Sequence, residues 1–164
     1  MEPTEILPND GMTADTAPGQ NEENAQTPNT QGGAASGRAQ AFIDALHALE
    51  KGADAETDSN AENLAALFAE NATLTNAALE LAGHQAEGRE AIVGFWHEYK
   101  ATLGKSYSEF SHVIENAGDA GLFWTTQSDG ATKYHGATLL QFNAAGEIEF
   151  FRGYYDTREL EVEK

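Results

Sequence analysis

Residues 106–156 read SYSEFSHVIENAGDAGLFWTTQSDGATKYHGATLLQFNAAGEIEFFRGYYD, and the pattern within them decides the fold. Apolar and polar residues alternate with period two in four runs, at about 106–116, 120–128, 131–142 and 147–156. The separators are Asn116-Ala-Gly-Asp119, Asp129-Gly130 and Asn143-Ala-Ala-Gly146, all of hairpin-turn chemistry. The pattern predicts a four-stranded antiparallel meander. Strands of about ten residues exceed the usual ~5–6 and twist strongly, so the sheet should curve.

A curved sheet needs one face covered, and the residues before it supply helices. Phe42, Ala45, Leu46 and Leu49 lie at helical spacing over Ala41–Glu50, and Lys51-Gly52 is a stop signal. Ser59 and Glu62 make a capping-box pattern ahead of Leu64, Leu67 and Phe68, predicting a helix that ends near Glu70. Ala72–Asn76 and Ala78–Leu81 read as two short strands. Arg89–Leu103 puts Ile92, Phe95, Trp96, Tyr99 and Leu103 on one stripe, with Gly104 just past its end. The expected architecture is α+β: three helices packed in a strongly curved, mostly antiparallel sheet, with a conical cavity between them.

Composition divides the chain. All four prolines lie in residues 1–37, which carry six acids and no aromatic, valine, lysine or arginine. That segment cannot bury enough apolar surface to offset its ordering entropy, so it reads as a disordered acidic arm. The whole chain has 164 residues and a net charge of −18, of which −12 falls on residues 38–164. All 15 aromatics lie there too, enough for one core. Such acidity repels phosphates, arguing against nucleic-acid or membrane partners, and it suits a high-salt or strongly solubilised protein. With no cysteine there is no disulfide, thiolate nucleophile or Cys-ligated metal. No ~20-residue apolar run predicts a membrane span, and Met1-Glu-Pro-Thr-Glu5 lacks a signal-peptide start, so a cytoplasmic location is expected. No HExxH, EF-hand or phosphate-loop pattern is visible, so neither a metal nor a cofactor is expected.

The order of elements resembles the nuclear transport factor 2-like superfamily, in particular its SnoaL-like, ketosteroid-isomerase-like and limonene-epoxide-hydrolase-like branches. Four stretches carry the resemblance across residues 38–160: Leu64-Ala-Ala-Leu-Phe68, Gly88-Arg-Glu-Ala-Ile92, Gly118-Asp-Ala120 with Trp124, and Gly146-Glu-Ile148 followed by Arg152-Gly-Tyr-Tyr-Asp156. The resemblance implies a cone-shaped fold, and that fold hosts unrelated chemistries. It also implies where known catalytic groups would stand. Asn76 takes the place of the ketosteroid isomerase base, Phe42 that of its oxyanion-binding Tyr, and Thr138 that of its protonated Asp. None of the three can perform those roles. Gly153 replaces the acid that epoxide hydrolases and SnoaL-type polyketide cyclases carry in the last strand, and Leu139 stands near the cyclase His.

Strand parity then nominates a site. Phe110, His112 and Ile114 share one face, and the aromatic face should point inward, making His112 the candidate acid or base. The alternative is a core histidine satisfied by a backbone carbonyl or a Tyr hydroxyl. Trp124, Thr126, Thr138 and Tyr155 share the faces that the resemblance turns inward, with Asn76 at the first strand's end and Trp96 and Tyr99 on the third helix. These seven are the candidate substrate-binding residues, and Gly153 enlarges the space they enclose. Arg152 reads as structural, paired with Asp156 or another acid. Phe123, Leu139, Phe150 and Tyr154 fall on the outer face, predicting a homodimer through it. Three functions fit: a lyase, isomerase, hydrolase or cyclase acting on a small apolar substrate; a non-catalytic binder of such a molecule; or a dimeric accessory module.

Overall fold

The computed structural model describes residues 33–157. The four predicted strands form where the turns dictate: β3 Tyr107–Glu115, β4 Asp119–Ser128, β5 Ala131–Phe142 and β6 Ile148–Tyr155. Asp129 and Gly130 both take positive φ, 53° and 79°, the mirror-image turn that matches strand twist. At the other two turns an asparagine closes the loop. Asn116 Oδ1 accepts from the N–H groups of Gly118 and Asp119, each at 2.8 Å. Asn143 Oδ1 accepts from Ala145 at 3.0 Å and Glu147 at 2.9 Å.

β1, Phe68–Asn76, adds to the meander parallel to β6, and a two-residue β2, Ala86–Glu87, lies on its far side. The six-stranded order is β2-β1-β6-β5-β4-β3. The curved, mostly antiparallel sheet wraps the helices as expected. They are α1 Gly33–Lys51, α2 Thr57–Ala65, a short α3 Ala77–Leu81 and α4 Arg89–Leu103. Phe42, Phe68, Trp96 and Phe151 meet at the centre, with ring centroids 5.6–6.4 Å apart. Burial of each such ring removes roughly 150–250 Å² of surface from water, which anchors α1 and α4 on the sheet.

Three local expectations need correction. Ser59 lies inside α2 rather than at its start, because a 3₁₀ turn at Asp54–Glu56 leads into it and Glu56 Oε1 accepts from the Ala53 N–H at 3.2 Å. α2 also ends at Ala65, short of Glu70, since Leu67 is already paired with Ile148 through a 3.0 Å backbone bond. Ala78–Leu81 is helix α3, not a strand: Asn76 Oδ1 accepts from the Leu79 N–H at 2.8 Å and caps it. The acidic arm assigned to residues 1–37 lies outside the described residues up to 32, while Gly33–Gly37 already belong to α1.

The correction that matters most is on β3. A β-bulge interrupts its ladder with β4 between Phe110, which opposes Trp124, and His112, which opposes Phe123. Ser111 is the extra residue, so parity flips beyond it. Phe110 faces inward as expected. His112 and Ile114 turn to the convex face, where both are exposed.

Candidate functional site

The open end of the cone holds a cavity of about 680 Å³, enclosed by α4 and the concave side of the sheet. The seven predicted binding residues all line it. Asn76 comes from the end of β1, Trp96 and Tyr99 from α4, Trp124 and Thr126 from β4, Thr138 from β5 and Tyr155 from β6. His112 does not line it. That side chain lies on the convex face, its ring 6.4 Å from Phe123 and its Nδ1 3.1 Å from Ser111 Oγ.

Most of the remaining wall is aromatic or aliphatic, with Phe42, Leu46, Phe95, Phe110 and Phe151 prominent. Trp124 is set by its neighbours. Its indole packs against Gly136 on β5, where a Cβ would fall 2.3 Å from Trp124 Cζ2. Its Nε1–H donates to Thr138 Oγ1 at 2.9 Å. Gly153 stands between Asn76 and Thr138 in the strand register and itself lines the cavity, and a Cβ there would fall 3.3 Å from Asn76 Cβ.

The sequence reading missed the polar network behind this wall. Glu50, on α1, is 4% exposed and lies against Tyr99 and Ser108. Its Oε1 accepts from the Ser108 N–H at 2.9 Å. Its Oε2 accepts from Ser108 Oγ–H at 2.7 Å and from the Tyr99 hydroxyl in a very short hydrogen bond. The Ser108 carbonyl in turn lies 2.9 Å from His47 Nε2, and Lys100 Nζ donates to the Glu50 and Gly52 carbonyls at 3.0 Å each. The signal was present: Glu50 follows Phe42 and Leu46 at spacings of four, on the same helical stripe.

Burial holds the Tyr99 phenol well above its ordinary pKa of 10.0, and the Glu50 charge adds to the effect. Burial also raises Tyr155, whose oxygen accepts from the Ala78 N–H at 3.4 Å. Both tyrosines are therefore neutral phenols at physiological pH. The charged residues bordering the cavity, Glu98 and Lys133, are exposed. Among the described residues no group of three His, Asp or Glu side chains is placed to hold a metal ion. Arg152 is structural as expected; its acid is Glu80 of α3, reached by two 2.7 Å contacts, and its guanidinium stacks over Tyr154.

The SnoaL-like domain profile matches residues 39–150. No curated protein matches the chain. Solved structures do. A provisionally assigned isomerase of the SnoaL-like family from Agrobacterium tumefaciens is 17% identical, with a TM-score of 0.59 over 74% of this chain and 97% of that one. A nuclear transport factor 2-like protein of unknown function from Cytophaga hutchinsonii is 22% identical, with a TM-score of 0.54 over 76% and 91%. A computationally designed 17-OHP binder is 19% identical, with a TM-score of 0.57 over 76% and 92%. At these identities the likeness is one of fold. The profile match covers most of the chain, which therefore belongs to the SnoaL-like domain family and has its nuclear transport factor 2-like cone fold.

Proposed function

We propose that this protein holds a small, uncharged and mainly apolar molecule in the cone, and that it binds rather than transforms it. The observation that carries this reading is the character of the wall. Aromatic and aliphatic side chains dominate, and the polar groups among them are hydroxyls, an amide and two indoles, with the charged Glu98 and Lys133 only at the exposed border. A cavity of about 680 Å³ is of the size that encloses small organic ligands. A proton-transfer role finds little support. The one buried carboxylate at the site, Glu50, is engaged by three donors, and the imidazole of His112 is on the other side of the sheet. Asn76 and Thr138 stand where the resemblance would place acids. The designed neighbour that binds 17-OHP is consistent with the same frame holding an organic molecule.

Native mass spectrometry of the full chain against a panel of uncharged molecules with apolar skeletons tests the proposal. One adduct per chain is expected, lost in Thr126→Phe, which fills the cavity. Adducts that persist in that variant, or none at all, would overturn it.

The convex face extends the proposal to assembly. Phe123 is 42% exposed and Tyr154 47%, with Ile114 beside them and Leu139 and Phe150 partly buried. An apolar row of this kind fits a homodimer joined through the sheet. Sedimentation equilibrium should return twice the chain mass, and the chain mass for Phe123→Asp.

A further inference from the structure

The hydroxyl and amide protons of the cavity narrow the chemistry of the ligand, an inference that rests on the proposed binding function. A hydroxyl has one proton to give. At the β3 side of the cavity, Tyr99 and Ser108 both give theirs to Glu50. What these two oxygens offer an occupant is lone pairs, backed by a negative charge. Across β1, β6 and the middle of β5 the commitments run the other way. Asn76 Oδ1 accepts from a backbone N–H, which also fixes the amide's orientation, so its Nδ2 hydrogens are the group left over. Tyr155 Oη accepts from the Ala78 N–H, and Thr138 Oγ1 accepts from Trp124 Nε1–H, leaving both with a proton to donate. Asn76, Gly153 and Thr138 are consecutive across the register, so the two side-chain donors flank the gap at Gly153.

The sheet order puts three strands between β1 and β3. At about 4.8 Å per strand, Asn76 lies roughly 19 Å from β3 along the arc, Tyr155 on β6 roughly 14 Å and Thr138 on β5 roughly 10 Å, and all are nearer across the concave side. Thr126 and Tyr134 lie between them and their hydroxyls can act either way, so they do not discriminate.

We infer that the cavity selects an elongated apolar molecule bearing a hydrogen-bond donor, such as a hydroxyl, at the Tyr99–Ser108 end and an acceptor, such as a carbonyl, at the Asn76–Thr138–Tyr155 end. A donor at the first end meets two acceptors, and a carbonyl at the second meets up to three donors. Reversing the ligand sets like against like at both ends, where each unpaired buried group is costly. An anionic group is disfavoured beside Glu50.

Calorimetric titration of the full chain with three matched probes tests this: 4-acetyl-4′-hydroxybiphenyl, its methyl ether, and 4-ethyl-4′-hydroxybiphenyl. The first carries both groups; the second lacks the donor and the third the acceptor. The first should bind roughly tenfold more tightly than either analogue. In Tyr155→Phe its advantage over the ethyl probe should shrink, while affinity for the ethyl probe itself is retained. Equal affinity for all three overturns the inference and leaves the binding reading intact. Absence of heat with all three, alongside adducts from the wider panel, does the same. Failure of both experiments overturns both.

Discussion

The Glu50 carboxylate accepts both hydrogens that Ser108 can donate, the N–H at 2.9 Å and the Oγ–H at 2.7 Å, across 58 residues of sequence. With the Tyr99 hydroxyl as a third donor, this contact ties α1, α4 and the start of β3 into one polar knot beneath the cavity wall.

Glu50→Ala leaves those three donors unpaired in a buried place. It is expected to cost about 3 kcal/mol of stability and to weaken binding of the hydroxyl-bearing probes. Urea denaturation followed by circular dichroism measures the first, and calorimetry the second. A loss below about 1 kcal/mol would mean that the donors find other partners.

The pH dependence has a definite sign. Tyr99 is raised well above 10.0, by burial first and then by the charge of Glu50. The folded state thus keeps a proton that the unfolded chain gives up, so this contribution to stability is complete below pH 10 and is lost as pH rises through the folded value. Glu115 follows the same rule lower down. Burial raises its pKa from 4.5 against smaller opposing effects of the Ala39 backbone N–H and the Arg38 charge. Its contribution is complete below 4.5 and is lost as pH rises through the folded value. Glu115→Gln should therefore melt with the wild type in acid and above it near neutrality. Thermal unfolding at the two pH values checks this, and a lower melting temperature near neutrality would refute it.

Gly136→Ala inserts a Cβ 2.3 Å from the Trp124 ring and 2.6 Å from the Tyr154 carbonyl oxygen. The indole has to leave Gly136 and give up Thr138. A loss of at least about 2 kcal/mol is expected, with a changed near-ultraviolet dichroism from Trp124. An unchanged spectrum would show that the indole has another resting place.

His112→Ala should leave probe affinity within about twofold of wild type and stability within about 0.5 kcal/mol, the range for surface positions. His112 is on the convex side of the sheet, so a large loss of affinity would contradict its placement.

Much of the fold was legible because its signals are local. Asn116, Asp129-Gly130 and Asn143 encode the hairpins through their own hydrogen bonds and positive φ. The stripe of Ile92 and Trp96 marks the buried face of α4. Period-two parity grouped Trp124 with Thr126 on one face, and the family resemblance turned that face, with Thr138 and Tyr155, toward the cavity they line. The same rule failed at His112, because one extra residue at Ser111 reverses every later side chain on the strand and leaves no trace in alternation itself. Glu50 escaped for a different reason. Its place on the apolar stripe is legible, but its partners are not, because Tyr99 and Ser108 reach it through tertiary packing.

Both tryptophans of the chain, Trp96 and Trp124, line the cavity, so the most direct measurement is ¹⁹F NMR of the full chain labelled with 5-fluorotryptophan. Titration with 4-acetyl-4′-hydroxybiphenyl should move both resonances, saturating at one ligand per chain. Two resonances that stay fixed while this probe, or a panel molecule that forms an adduct, is bound would contradict a ligand site in the cone.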